Sequence, residues 1–315
     1  MAELVNIFSW SISAREDFSE CRRRRYWAKY AMWNGWKEQA SELQRTAYRL
    51  SKMDNRFTLM GNAVERAVMW ALRQRQADRT VTADQAYEAV VKPYLNQCWN
   101  ESRKKLWQAN PKRHCCLHEH YYAAFHREPA EAMTGQMISQ VKLCIGHFLE
   151  KVLPALGAIR PEQELAIATT GTGDPESFRL EDVKVYAIPD YAYRADNRLH
   201  IHDWKSGNPK PVHRDQMAVY GLWANLKHHI PADQIRVHLE YLASGTTLSN
   251  GLTDADLNYA RCLVTESVAE MAEYLEGGDI RKNTPLPRDD WELSADMHLC
   301  ERCNFYELCQ PELQA

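Results

Sequence analysis

The chain has 315 residues, of which 45% are hydrophobic and 26% are charged, and its formal net charge is −3. This length fits one large domain or two interleaved ones, and the composition argues against a disordered, collagen-like or uniformly basic nucleic-acid-coating protein. No segment approaches the roughly 20 apolar residues that span a bilayer, and the N-terminus lacks the pattern of a signal peptide, so we expect a soluble cytoplasmic protein with no membrane partner.

The first half of the sequence is predicted to be mainly helical. Ser13 and Glu16 have the spacing of a capping box, and the stretch that follows lacks Gly and Pro, which predicts a helix over about 14–30. Further helical segments are predicted over 38–79, with a break near Gly61, and over 83–108 and 118–153. Four prolines are expected to mark starts, kinks or breaks: Pro93, Pro111, Pro129 and Pro154.

The second half changes to a strand-like pattern. β-Branched, aromatic and alternating residues predict strands over 162–170, 179–194, 198–205 and 234–242, separated by turn signals such as Asp196-Asn197. A helix is predicted over 214–228, between the last two strands, and another over 254–276, before a loop and a tail that carries cysteines. This order of elements predicts an α/β core with helical insertions.

The segment from Asp190 to Lys205 carries the strongest chemical signal. Asp196-Asn197 has hairpin-turn character, so two antiparallel strands would bring Asp190 and Asp203 toward the same end of the sheet. Side chains alternate along a strand, so Asp203 and Lys205 share one face while Trp204 points to the other. Two carboxylates and one ammonium group are therefore expected around one point.

Clustered carboxylates raise one another's pKa unless a cation lies between them, and a hard divalent metal bound through oxygen does this well. Such a metal can polarise a phosphoryl oxygen and activate water with help from Lys205, which predicts phosphodiester hydrolysis. Taken alone, an Asp-x-Lys tripeptide is more often a weak ion pair on a solvated strand face. The surroundings favour the site, because Glu164 lies on the preceding predicted strand, and Gln216 and Tyr220 share one face of the next helix.

Four short motifs occur here in a recognisable order and spacing. They are Gly61-Asn-Ala-Val-Glu65, Ala187-Ile-Pro-Asp190, Asp203-Trp-Lys205 and Gln216-Met-Ala-Val-Tyr220. In these motifs the sequence resembles the RecB-like branch of the PD-(D/E)XK nuclease superfamily, which carries Gly-x-x-x-His, Gly-x-x-Asp, Asp/Glu-x-Lys and Gln-x-x-x-Tyr. The resemblance implies a restriction-endonuclease-like α/β core in which helices flank a mixed central sheet.

The resemblance also implies roles for the site residues. Mg²⁺ or Mn²⁺ would be bound by Glu65, Asp190, Asp203 and the backbone carbonyl of Trp204. Lys205 would assist the attacking water, Gln216 and Tyr220 would position the substrate strand, and Glu164 is a supporting catalytic candidate.

Two positions depart from the family pattern. Glu65 stands where the family usually has a metal-binding His, and Ala187 replaces a Gly. Glu65 either ligates the metal, in an all-oxygen set that favours magnesium, or is a surface charge beside a weaker or inactive site.

Nine cysteines in a long chain without an export signal favour metal ligation or buried thiols over disulfides. Cys300, Cys303 and Cys309 form a C-x2-C-x5-C pattern, and Cys21 can supply a fourth thiolate. This arrangement resembles the iron-sulfur clasp of some RecB-like nucleases, including the CRISPR-associated iron-sulfur exonucleases. The resemblance implies a 4Fe-4S cluster that joins the termini, with zinc as the alternative occupant.

The densest charge run consists of Arg22, Arg23, Arg24 and Arg25. A helix with these residues could bind DNA phosphates beside the metal site, although a solvated helix face is the simpler alternative. We therefore hypothesise a metal-dependent DNA exonuclease for single strands or frayed ends, with a helicase or integrase-type protein as a possible partner. The alternative is a non-catalytic DNA-binding or assembly subunit that keeps the fold and cluster.

These assignments divide the chain into three regions. Residues 1–60 form an N-terminal helical segment that contributes Cys21, and 61–280 form the nuclease core with a helical insertion at about 80–155. Residues 281–315 form the cysteine-rich cluster segment.

Overall fold

The structure is a computed structural model, which describes residues 4–169 and 173–313. Its α-helices are α1 (Ile12–Glu20), α2 (Arg22–Tyr26), α3 (Glu42–Leu50), α4 (Arg56–Gln76), α5 (Ala83–Ala86), α6 (Lys92–Arg103), α7 (His118–Tyr121), α8 (Ala130–His147), α9 (Leu153–Leu156), α10 (Val212–His228), α11 (Asp254–Ala272), α12 (Met297–Glu301) and α13 (Tyr306–Leu313). Its strands are β1 (Ser9–Trp10), β2 (Met53–Asp54), β3 (Cys116–Leu117), β4 (Ser177–Leu180), β5 (Val183–Tyr186), β6 (Tyr191–Ala195), β7 (Arg198–Lys205), β8 (Ile235–Tyr241) and β9 (Thr246–Gly251). Within the described ranges, none of the helices combines the length and the apolar character needed to cross a membrane.

A mixed four-stranded sheet in the order β6-β7-β8-β9 forms the centre of the fold. β7 and β8 are parallel, whereas β6 and β9 are antiparallel to their neighbours. Asp196 and Asn197 form the turn between β6 and β7 with φ angles of 50° and 58°. Asp and Asn tolerate this left-handed region better than most residues, so the two-residue turn fixes the hairpin register, in which Ala195 pairs with Arg198.

The two faces of this sheet pack against different helices. One face packs against α10 and α11 in a core that contains Leu199, Ile201, Leu222, Val237 and Val264. The other face packs against α4 and α8 in a core that contains Val64, Ile145, Tyr191, Tyr193 and Trp204. β7 contributes side chains to both cores, as expected of a central strand that is covered on both faces.

Two smaller sheets attach the N-terminal region. β1 pairs in parallel with β5, which also pairs with β4, and β2 pairs with β3. Residues 83–156 contain α5 to α9, and α4 faces them with Ala63, Ala67 and Ala71, none of which is exposed. Such small side chains allow neighbouring helices to approach closely.

The predicted helix over 14–30 is interrupted in the structure. Ser11, not Ser13, caps α1, because its side chain accepts a hydrogen bond from the backbone N–H of Ala14 at 3.1 Å. Cys21 has extended backbone angles (φ −161°, ψ 116°) and separates α1 from α2. The chain therefore turns at Cys21, which local sequence composition did not indicate.

Two predicted strands are also wrong. Of 162–170, the described residues hold a 3₁₀ turn (Pro161–Gln163) and one isolated bridge from Glu164 to Tyr193, and Thr170 lies outside the described residues. The segment 179–194 forms parts of β4, β5 and β6, because Glu181 turns the chain with a φ of 52° and 187–190 leave the ladder. β9 was not predicted, since all six of its residues are exposed and carry no apolar alternation.

Candidate active site

The β6-β7 hairpin brings two carboxyl groups and a lysine together. Asp203 is 2% exposed, and its Oδ2 lies 2.6 Å from Nζ of Lys205 on the same strand face. Asp190, just before β6, accepts a hydrogen bond from the backbone N–H of Trp204 at 2.6 Å. The structure therefore places Asp190, Asp203 and Lys205 around one point at the end of β7.

Helix α10 holds this group through two side chains one turn apart. Gln216 Oε1 accepts a hydrogen bond from Lys205 Nζ at 2.8 Å, and Gln216 Nε2 donates to the Tyr220 hydroxyl at 2.7 Å. That hydroxyl lies 2.9 Å from the carbonyl oxygen of Ile188 and 3.4 Å from Asp203 Oδ1, so it can donate to either. Tyr220 is only 4% exposed. Tyr220 also lines a cleft that contains Lys205, so its contact with a substrate strand stays a prediction.

Glu65 faces the same point from α4. The helix passes beside the end of β7, since a Cβ atom added at Gly61 would lie 3.8 Å from Ser206 Oγ. Burial raises the pKa of Glu65, the charge of Arg66 opposes this shift, and the charge of Asp203 adds to it. Glu65 is therefore electrostatically coupled to the two aspartates.

The electrostatics of the three carboxyl groups test whether a metal fits here. Burial, followed by the charge of Asp203, raises the pKa of Asp190 well above its usual range, and Glu65 raises it further. Burial also raises the pKa of Asp203, although Lys205 opposes the shift. One lysine thus does not offset three crowded carboxylates, and the all-oxygen donor set is the kind that binds Mg²⁺ or Mn²⁺. The residues fit such a metal.

Glu164 does not join this site. Its carboxylate pairs with Arg73 at 2.7 Å and accepts hydrogen bonds from Gln76 and the Tyr191 hydroxyl. Tyr191 is in register with His202, so its side chain lies on the face opposite Asp203. The expectation of a catalytic role for Glu164 is corrected, because residues 162–164 do not form the strand that would have aimed it at the metal.

The arginines of the run contact other parts of the protein. Arg22 lies over the Phe18 ring, Arg23 binds Glu312 and the carbonyl of Trp291, Arg24 pairs with Asp17 and Glu20, and Arg25 reaches the carbonyl of Ser9. Arg23 is only 3% exposed. Arg23 is therefore not available to a phosphate, whereas a phosphate-binding role for the half-buried Arg22, Arg24 and Arg25 stays a prediction.

An open groove of about 1060 Å³ begins at Lys205 and was not predicted. Its cationic side chains are Arg56, Lys210 and Arg302, and the side chain of Phe57 at its wall is 62% exposed. A second cleft of about 340 Å³ also contains Lys205 and Lys210 and extends to α1. The two lysines thus lie where the clefts meet. The Arg56-Phe57 pair beside the Gly61 motif was the one available signal, whereas Arg302 is distant in sequence.

The four predicted cluster cysteines line one cavity. Cys21, at the break between α1 and α2, faces Cys300, Cys303 and Cys309 from the tail. All four are free thiols, and Trp27 Nε1 donates a hydrogen bond to Cys309 Sγ at 3.2 Å. Burial raises the pKa of Cys303 to about 12 and that of Cys309 to about 11. Because their pKa values are raised, these thiols would ionise only beside a cation. Four thiols that line one cavity can provide the thiolate ligands of a bound metal.

Four cysteines that line one cavity can hold either a zinc ion or an iron-sulfur cluster.

Comparison with known proteins gives one family. The family model of the PD-(D/E)XK nuclease superfamily matches residues 9–310, a span that runs from β1 into α13 and includes all four motifs and the four cluster cysteines. No match was found among curated proteins.

Proposed function

Because the chain belongs to the PD-(D/E)XK nuclease superfamily, whose members are metal-dependent nucleases, we propose that it is a deoxyribonuclease that digests single strands or frayed ends as an exonuclease. The convergence of Asp190, Asp203 and Lys205 at one end of β7 is the observation that carries this proposal. The four motifs and the cysteine cavity favour the RecB-like, iron-sulfur-containing branch.

Glu65, Asp190, Asp203 and the carbonyl of Trp204 would hold the divalent metal. A bound Mg²⁺ or Mn²⁺ supplies Lewis-acid activation of a phosphoryl oxygen and of water. The hydrogen bond from the Trp204 N–H to Asp190 orients one carboxylate, and Tyr220 orients the other. The raised pKa of Glu65 supports its role as a ligand in place of the usual His.

Lys205 is the group that would act on the attacking water or on the negative charge of the transition state. Its Nζ lies between Asp203 and Gln216, so its position is fixed before a substrate binds. A fixed ammonium group stabilises developing charge more effectively than a mobile one, because no reorganisation is needed during the reaction.

The groove supports a single-stranded substrate. Arg56, Lys210 and Arg302 can neutralise successive phosphates, and the exposed ring of Phe57 offers a stacking surface to a base. Neighbouring pairs cover both faces of a base inside a duplex, so the ring can stack only on an unpaired base or at a duplex end. This geometry favours single strands or frayed ends over intact duplex.

We favour a 4Fe-4S cluster over zinc in the cysteine cavity, because the C-x2-C-x5-C pattern together with Cys21 resembles the iron-sulfur clasp of some RecB-like nucleases. Its role would be structural, since Cys21 and the three tail cysteines lie at opposite ends of the chain. We also propose that the protein is cytoplasmic, that it acts in CRISPR adaptation or DNA repair, and that its partner is a helicase or an integrase-type protein.

A cleavage assay tests the proposal. End-labelled linear single-stranded DNA, circular single-stranded DNA, duplex DNA and RNA are incubated with Mg²⁺ or Mn²⁺ and with wild type, Asp203→Asn or Lys205→Met. We expect degradation of linear single strands, resistance of circles, and a loss of about 100-fold or more in both variants. Asp182→Asn and Lys282→Ala, which change exposed ion pairs, are the matched controls and should stay active.

Each contrary result has its own meaning. Equal cleavage by wild type and both site variants would assign the activity to a contaminant. Cleavage of circles would make the protein an endonuclease. A wild type that binds DNA but cleaves none of the substrates would favour the non-catalytic assembly subunit, the second candidate raised by Glu65 at the usual His position.

A further inference from the structure

The face of the central sheet opposite Asp203 carries a cluster of histidines. His202 on β7 is in register with His238 on β8, and Glu240 lies two residues further along β8. One ligand atom from each of these three side chains lies within 4.8 Å of the other two. Because neighbouring residues of a strand point to opposite faces, this cluster lies behind the carboxylate site and not in it.

His202 and Glu240 are buried and His238 is half-buried, and their polar atoms are incompletely paired. His202 is 3% exposed and Glu240 is 2% exposed. His202 Nδ1 lies 3.2 Å from a Glu240 oxygen, but its Nε2 is buried without a hydrogen-bond partner in the described part of the chain. The partners of the Glu240 carboxylate are His202 and the Thr247 hydroxyl, neither of which carries a fixed positive charge. A buried carboxylate in such surroundings is costly without a cation.

We propose that His202, His238 and Glu240 bind a Zn²⁺ ion, at a second metal site that is separate from the catalytic one. Two imidazoles and one carboxylate form a recognised zinc donor set, whereas the catalytic set contains only oxygen. Tetrahedral ligand atoms at 2.0–2.1 Å from zinc lie roughly 3.4 Å from one another. Side-chain rotations that move the ligand atoms by about 1 Å would bring the three side chains to this separation.

Outer contacts already orient the ligands. His238 Nδ1 lies 2.8 Å from Ser249 Oγ on β9 and can donate to it, which leaves Nε2 to bind the ion in place of its present contact with Nδ1 of His200 at 3.0 Å. Hydrogen bonds of this kind fix the ring orientation of metal-binding histidines. His200, whose Nδ1 lies 3.0 Å from His238 Nε2 and whose Nε2 is buried and unpaired within the described ranges, can supply a fourth ligand.

The place of this ion in the fold suggests its effect. It would join β7 to β8 directly behind the strand segment that carries Asp203 and Lys205. Zinc would therefore stabilise the pairing of these strands and need not take part in the reaction.

Zinc content tests the proposal. The full-length protein is incubated with Zn²⁺ in excess Mg²⁺, desalted, and its metal content is measured for wild type, Glu240→Gln, His238→Asn and the matched control His229→Asn, which changes an exposed histidine outside the cluster. We expect the two cluster variants to contain one equivalent of zinc less than wild type and the control. The thermal midpoint should rise with zinc in wild type and the control alone.

X-ray absorption on the zinc-loaded wild type gives an answer even where a variant fails to fold. A shell of nitrogen and oxygen at about 2.0–2.1 Å with the outer-shell scattering of imidazole rings supports the His-Glu site. Oxygen without imidazole scattering places zinc at the catalytic carboxylates, sulfur alone at about 2.3 Å places it at the cysteines, and either result overturns the proposal. Equal zinc contents in all four folded proteins would overturn it as well.

Discussion

Replacing Arg23 by Leu separates the two roles that have been considered for the arginine run. Arg23 is buried, its Nε donates to the carbonyl of Trp291 at 2.7 Å, and its Nη1 contacts both oxygens of Glu312 at 2.9 and 3.0 Å. These contacts join α2 to the C-terminal tail. We expect Arg23→Leu to destabilise the fold and to leave the affinity of the folded protein for DNA unchanged.

The structure sets the size of the effect. Removal of one partner from a buried ion pair costs about 3–5 kcal/mol, largely because the other charge stays buried. The Glu312 side chain is 31% exposed and can regain water, so about 2–3 kcal/mol is expected from the pair. The carbonyl of Trp291 loses its donor and adds about 1 kcal/mol. The total of about 3–4 kcal/mol would lower the thermal midpoint by roughly 5–6 °C, because about 2.1 cal/mol/K of unfolding entropy per residue amounts to about 0.66 kcal/mol/K over 315 residues.

The assay pairs stability with DNA binding, and the reference variant is Arg302→Leu. Arg302 is exposed and lines the groove, so its loss should change the free energy of unfolding by no more than about 0.5 kcal/mol. It should also reduce the slope of log affinity for an oligonucleotide against log salt concentration by about 1, the contribution of one phosphate contact. Thermal scans at one fixed rate and fluorescence anisotropy, in the Asp203→Asn background to prevent cleavage, measure the two quantities. If Arg23→Leu keeps its midpoint and weakens binding as Arg302→Leu does, the arginine run is a DNA contact after all.

Two further predictions concern positioning and pH. Gln216→Leu removes the acceptor that holds Lys205, so kcat should fall about tenfold with a smaller change in KM; a change in KM alone would return Gln216 to the substrate surface. Burial, and then the charge of His126, lowers the pKa of His118 to about 4, below the roughly 6.5 of an unfolded His. The unfolded chain thus binds the proton first as pH falls, so this residue costs about 2 kcal/mol of stability by pH 5. Urea unfolding at pH 7 and pH 5 measures how much the free energy of unfolding falls between the two pH values, and His118→Phe should make this fall about 2 kcal/mol smaller. The same fall in wild type and His118→Phe would contradict the assignment.

The carboxylate-lysine arrangement could be predicted because it depends on local geometry. The Asp196-Asn197 turn sets the hairpin register, and strand alternation then determines which side chains share the face of Asp203. Helix periodicity likewise predicted that Gln216 and Tyr220 share one face, but it did not predict that Gln216 contacts Lys205. The roles of these residues in catalysis rest on the experiments above.

The errors have a common physical origin, because each concerns a property that distant segments determine. Arg23 is buried by Trp291 and Glu312, which lie 268 and 289 residues away in the sequence. Likewise, Glu164 is held by Arg73, 91 residues away, so its side chain points away from Asp203. The sequence shows that a residue is charged, but it does not show which distant segment will pack over that residue and pair with it.

Cys300 tests whether the cysteine cavity and the groove are mechanically connected. α12 ends next to Arg302, and the backbone N–H of Cys303 bonds to the carbonyl of Cys300 at 3.0 Å, so this short turn holds a groove cation between two cavity cysteines. Loss of a metal at these thiols should free the turn and reduce DNA affinity about as much as Arg302→Leu, while kcat at saturating DNA is retained because Asp203 is not displaced. Visible absorption and anisotropy on Cys300→Ser, with the exposed Cys262→Ser as control, measure this. If Cys300→Ser loses the absorption and keeps wild-type affinity, the cavity clasps the termini but does not shape the groove.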